Sequence, residues 1–153
     1  MPQRTRSFVL SITLVATAAL AGCTVVQVKP LEKKTYDVKL VCIEQNDKVN
    51  HEGFLPMIES RFAEHGISTK RYTGKPSADC KYTAQYDAHW NWDLAVYLTD
   101  ATIEIRQSGE LVGRAVYHLR NRGGLDLGKF GSAESKMNPI LDQLLVEFTS
   151  SKT

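Results

Sequence analysis

The sequence predicts an α+β domain: a single, mostly antiparallel sheet of about five strands with two helices packed on one face. Three observations predict it. Apolar and polar residues alternate with period two from Cys80 to Trp90, the pattern of a strand with one buried face. Two other segments, Phe54 to His65 and Ala133 to Thr149, place their apolar residues on one helical stripe. The order along the chain, β-α-β-β-β-β-α, leaves both helices free to cover the same side of one sheet.

Tyr36 to Ile43 alternates as a first strand, with Val38, Leu40 and Cys42 on one side. Asn46 to Asn50 is a polar turn. The first helix carries Leu55, Ile58 and Phe62 on its stripe. Pro56 is tolerated only in a first turn, which sets the start near Gly53. Gly66 stops the helix and Ile67 packs back against it. Ile67 to Tyr72 makes a short second strand, and Gly74, Pro76 and Ser77 mark a loop. After the Cys80–Trp90 strand, Asn91 to Asp93 turns the chain. Leu94, Val96 and Leu98 then alternate inward. Ala101, Ile103 and Ile105 do so in the opposite parity, which calls for a bulge near Thr99-Asp100. Ser108-Gly109-Glu110 is a hairpin turn, and Leu111 to Leu119 returns. A glycine-rich stretch, Arg120 to Ser132, leads to the last helix, whose apolar face is Met137, Ile140, Leu141, Leu144 and Phe148. Either Pro139 kinks that helix, or Asn138 caps a shorter one beginning at Pro139.

The N-terminus has a different character. Arg4 and Arg6 precede an apolar run from Phe8 to Leu20. As a helix this run spans roughly 20 Å, short of the roughly 30 Å of a hydrocarbon core. A basic head, a short apolar middle and small residues at the end describe a secretory signal rather than a span. The ending Leu20-Ala21-Gly22-Cys23 resembles the lipobox of bacterial lipoproteins cut by signal peptidase II. The resemblance implies cleavage before Cys23, with a diacylglycerol on its sulfur and a further acyl chain, such as palmitate, on its amine. Two chains already anchor stably. No other cofactor is expected. Thr24, where aspartate would retain a lipoprotein in the inner membrane, points to the periplasmic face of the outer membrane; the inner membrane is the alternative. The chain then divides into a signal (1–22), a lipidated N-terminus and tether (23–35) and one globular domain (36–153). Pro30 and the lysines Lys29, Lys33 and Lys34 give the tether its character.

Composition agrees with such an address. Residues 1–22 hold two of the 19 Lys and Arg and none of the 17 Asp and Glu, so the remainder carries 17 of each. A chain of no net charge has no electrostatic footprint for nucleic acid. With Cys23 acylated, Cys42 and Cys80 remain, and two thiols in an oxidising compartment predict a disulfide, the alternatives being two separate buried thiols or a metal site. A metal site would need two or more further ligands, and no histidine pair at ligand spacing supplies them.

No catalytic motif stands out. Gly123 to Lys129 matches GxxxxGK, but Phe130 follows where a phosphate loop needs Ser or Thr, and only one helix remains downstream. Phe130 reads instead as a plug in a loop. The histidines His51, His65, His89 and His118 form no HExxH pattern, and no GxSxG elbow is present. His65 near a helix C-terminus has a structural explanation in the helix dipole. The cluster His89-Trp90-Asn91-Trp92-Asp93 offers a rim for a ligand or partner; by parity Trp90 belongs to the core, while Trp92 either covers a helix end or stays exposed. The candidate binding surface is therefore His89, Trp92 and Asp93 with Lys129 and Phe130 from the glycine-rich loop.

The runs from Cys80 to Tyr86, Trp92 to Leu98 and Val112 to Leu119, with Gly123-Gly124-Leu125 and Lys136 to Leu144, resemble a family of small Gram-negative envelope lipoproteins with no established activity. The strand order is also similar to that of auxiliary lipoproteins of envelope transport and assembly systems. The first resemblance implies an envelope location and no reaction, and the second is architectural. The leading expectation is a non-enzymatic accessory protein that contacts the membrane through its anchor and another envelope protein through its domain. A binding module for a lipid, a peptidoglycan fragment or a host enzyme is the alternative, and an envelope hydrolase stands third.

Overall fold

The computed structural model describes residues 24–148. The signal, the lipobox residues Leu20, Ala21 and Gly22, and Cys23 lie outside the described residues. The fold is α+β, with one sheet and two helices on one face, as expected. The finer expectation needs correction. The sheet has six strands, in the order β1-β6-β5-β4-β2-β3, and it is mixed. The strands are β1 (Thr24–Lys29), β2 (Leu40–Glu44), β3 (Ser68–Tyr72), β4 (Tyr82–Asp93), β5 (Ala95–Gln107) and β6 (Glu110–Leu119). The helices are α1 (Phe54–Glu64), between β2 and β3, and α2 (Ala133–Leu144), after β6.

The extra strand is β1. The segment expected to be a tether pairs antiparallel with β6, Thr24 opposite Leu119 and Lys29 opposite Arg114. Val25, Val26 and Val28 are β-branched and suit a half-buried edge, and Lys29 sits on the edge strand, where a charge discourages further pairing. Two residues later Leu31 is fully buried, and its N–H donates to the Leu144 carbonyl at 2.8 Å. Residues from Thr24 onward thus belong to the sheet rather than to a tether.

The parallel pairs follow from the connection. α1 carries the chain back to the starting end, so β3 lies parallel to β2. β2 also lies parallel to β4, with Ile43 opposite Ala84. α1 ends as the sequence indicates. Gly66 has φ 75°, the Gly66 N–H bonds the Ala63 carbonyl, and the Ile67 N–H bonds the Phe62 carbonyl at 3.0 Å. α2 begins at a Ser132 cap, whose hydroxyl accepts from the Ser135 N–H, and runs through Pro139 instead of starting there. It ends at Leu144, short of the predicted Thr149, although Phe148 still reaches the core.

The core lies between sheet and helices. Three rows cross β4, β5 and β6: Ala84–Ile105–Gly113, Tyr86–Ile103–Ala115 and Ala88–Ala101–Tyr117. Gly113 is required by close approach, since a Cβ there would stand 3.2 Å from a Leu144 methyl. Phe54 of α1 packs edge to face on Trp90, at 5.4 Å between ring centres. The alternate positions, such as Gln85, Glu104 and Arg114, form a polar face that carries neither helix. Among the described residues no helix is long and apolar enough to cross a membrane.

Candidate functional site

The β4–β5 hairpin outruns the rest of the sheet. His89 pairs with Asp100, Asp100 with His118 and His118 with Val25, so β1 and β6 end near that row. The register then shifts: Trp90 pairs with Leu98, leaving Thr99 as the extra residue, so the bulge falls where the parity change required it. Thr99 Oγ1 donates to the His89 carbonyl at 3.0 Å. The expected turn at Asn91–Asp93 is instead strand, and the chain reverses at Leu94, which takes φ 64°. Of the three residues expected to alternate inward, only Leu98 is buried; Leu94 and Val96 are exposed, and Tyr97, out of phase with them, is buried. Alternation along a strand identifies two faces. It does not say whether a helix extends far enough to cover either of them.

The loop after β6 folds against this hairpin. Asn121 and Arg122 adopt left-handed backbone (φ 49° and 53°) ahead of Gly123 (φ 74°). A Cβ at Gly123 would come within 3.1 Å of both the Leu119 and Lys129 side chains. The Asp126 carboxylate accepts from the Gly128 N–H at 2.8 Å, closing a short 3-10 turn over Leu127–Phe130. Phe130 meets the buried Tyr97 edge to face at 5.8 Å, the plug that the sequence suggested.

Lys129 joins the two segments. Its side chain is only 6% exposed, its ammonium lies 2.6 Å from the Asp93 carboxylate, and it donates to the Gly124 carbonyl at 2.8 Å. The rings of Tyr97 and Phe130 lie 5.3 and 5.1 Å from the same nitrogen. The lysine of the GxxxxGK match is therefore committed to a clamp between loop and hairpin. Behind it, Lys136 donates to the Lys129 and Leu98 carbonyls, and burial pulls its ammonium below the ordinary lysine value.

Of the five residues singled out in the sequence, Asp93, Lys129 and Phe130 meet in this clamp. Trp92 stands beside Asp93 on the other side of the hairpin, opposite Val96, and is 70% exposed. His89 does not join them. It lies before the bulge on the polar face, 3.2 Å from Asp87. Sequence reasoning missed the exposed leucines at this end: Leu94, Leu125 (99% exposed) and Leu127. Three apolar residues beside glycines and a turn were the available signal.

The remaining histidines are engaged elsewhere: His51 stacks on Trp90, His65 bonds Asp142 at 2.8 Å and His118 bonds Asp100. Cys42 and Cys80 form a disulfide with Cα atoms 5.6 Å apart. The bond links parallel neighbours. Cys42 lies mid-strand opposite Thr83 of the parallel β4, and Cys80 sits just before that strand. Among the described residues no group of three or more His, Cys, Asp or Glu could hold a metal ion. Open depressions mark the surface of the described residues. One, of about 580 Å³, lies by Glu44, Asp47 and Asp87 on the polar face. Another, of about 500 Å³, lies between β1, α2 and the clamp loop.

No known family profile matches the chain. No curated protein matches it either. Solved structures do. A PelC dodecamer from Paraburkholderia phytofirmans is similar over 84% of this chain and 99% of that one, with a TM-score of 0.53 and 10% identity. A dodecamer of a point variant of that PelC, in another crystal form, covers the same shares with a TM-score of 0.51 and 11% identity. At such identity the likeness is one of fold.

Proposed function

We propose that this protein is a lipoprotein anchored through Cys23 at the periplasmic face of the outer membrane, where it serves as a non-enzymatic accessory protein by contact with another envelope component. The observation that carries the reading is Leu20-Ala21-Gly22-Cys23 closing a basic-then-apolar N-terminus. The bond between Cys42 and Cys80 adds support, because it leaves Cys23 as the remaining cysteine of the chain. The engagement of the polar side chains supports a non-enzymatic role: Asp93 with Lys129, and His65 with Arg61 and Asp142 in one network. A ligand-binding module is less favoured, because Phe54, Phe62, Met137 and Leu141 fill the space between sheet and helices.

The test is metabolic labelling. The wild-type protein should take up labelled palmitate and fractionate with outer membranes, and Cys23→Ser should do neither. Palmitate entering Cys23→Ser at the normal level would refute the anchor. Crosslinking in intact cells should capture a specific envelope protein, and the capture should be lost when Cys23→Ser misplaces the domain.

A further inference from the structure

We infer that the end of the sheet bearing Thr24, the β4–β5 hairpin tip and the clamp loop is a membrane-seating surface, which enters the interface of a phospholipid bilayer containing anionic headgroups. This rests on the anchor reading above. The first argument is where the chain outside the structure attaches. Thr24 is already in β1, paired with Leu119, so no residue separates the paired strand from an acylated Cys23. With no tether, that end of the sheet must lie at the lipid surface.

The hairpin extends from the same end. Leu94 lies five residues beyond His89, whose row includes Val25, so the tip reaches roughly 15 Å farther along the strand direction at about 3.3 Å per residue. Tilt shortens that reach, bringing it toward the depth of about 5–10 Å at which amphipathic elements settle.

The chemistry of the tip suits that depth. Of seven large apolar side chains exposed among the described residues, five are here: Trp92, Leu94, Val96, Leu125 and Leu127. The Asp93–Lys129 clamp holds the two groups side by side and neutralises the carboxylate between Trp92 and Leu94. Leu94 occupies a left-handed turn position that Gly or Asn fills more cheaply. A leucine held there and 85% exposed in water is explained if water is not its surroundings. Tryptophan is the residue most suited to the headgroup boundary. Exposed Arg120 and Arg122 precede Leu125 and Leu127 in the same loop, and with Lys129 paired to Asp93 they stand against Asp126 alone, which complements an anionic surface.

The experiment reconstitutes the full processed protein, its acylation first checked by mass, into vesicles of phosphatidylethanolamine and phosphatidylglycerol with or without brominated phosphatidylcholine. Trp90 and Trp92 are the only tryptophans, so the difference between wild type and Trp92→Phe isolates emission from Trp92. Trp92 is exposed, so its replacement should leave the fold intact. Shallow bromines should remove most of the Trp92 emission and leave Trp90 nearly unchanged, and Leu94→Asp with Leu125→Asp should abolish the quenching. Acylated protein whose Trp92 is unquenched and open to acrylamide overturns the inference alone. A bare terminus without quenching overturns the anchor as well. Trp92 shielded from acrylamide but untouched by bromine would assign the patch to a second copy of the chain and overturn the membrane assignment.

Discussion

The clamp between hairpin and loop makes an asymmetric prediction. Lys129 is 6% exposed, whereas the side chain of its partner Asp93 is 54% exposed. Asp93→Ala strands a buried ammonium with the Gly124 carbonyl and two ring faces. Removing one partner of a fully buried pair costs about 3–5 kcal/mol. Here the carbonyl, the rings and water entering the space left by Asp93 offset part of that, leaving a loss of about 2 kcal/mol. Lys129→Met keeps most of the apolar stem and leaves Asp93 to be solvated where it already meets water. Its cost should stay within about 1 kcal/mol. The double variant should resemble Lys129→Met, because the stranded charge is gone. Urea unfolding followed by far-ultraviolet circular dichroism reads all three. With a slope of about 2 kcal/mol/M, Asp93→Ala should lower the midpoint by about 1 M and Lys129→Met by half that or less. Equal losses, or a larger loss in Lys129→Met, would refute the assignment of Lys129 as a buried cation that needs its partner.

Cys42→Ala with Cys80→Ala should destabilise the domain by about 4 kcal/mol, since the bond closes a loop of sequence separation 38. Reductant should lower the unfolding midpoint of the wild type and leave that of the double variant unmoved; a wild type indifferent to reductant would count against the bond. The contact between α1 and α2 should give an acid-sensitive contribution. Arg61 holds the Asp142 carboxyl below its ordinary value against the opposing effect of burial, and His65 adds to the lowering. A depressed folded pKa stabilises above the unfolded value near 3.9 and is lost as pH falls through the folded value. The stability gap between wild type and Asp142→Asn should therefore be full at neutral pH and shrink below about pH 4. A gap that holds constant into strong acid would contradict that role.

The sequence made legible those elements whose local pattern and tertiary environment agree. β4 alternates cleanly because one of its faces is core and the other polar, and α1 is bracketed by Pro56 and Gly66. β1 was hidden because its valines are interrupted by glutamine and followed by lysines and Pro30, a pattern shared by an edge strand and a solvated linker. The parallel pairing of β2 with β3 was available in principle, since a helix between two adjacent strands returns the chain to the same end. Its pairing with β4 was not, because Thr73 to Asp79 carries no directional signal. At the candidate site, the aromatic cluster and the glycine-rich loop were legible as separate segments. The Asp93–Lys129 pair that joins them spans 36 residues, and no periodicity within either segment reports it. The exposure of Leu94 and Val96 was obscured for a related reason: the hairpin projects beyond both helices, and the strand pattern is indifferent to where its cover ends.

Mass spectrometry of the N-terminal peptide from protein purified out of native membranes tests the central claim most directly. The account predicts a peptide beginning at Cys23 and carrying the added mass of a diacylglyceryl group and an N-acyl chain. A peptide with an unmodified cysteine, or one that begins upstream of Leu20, would contradict it.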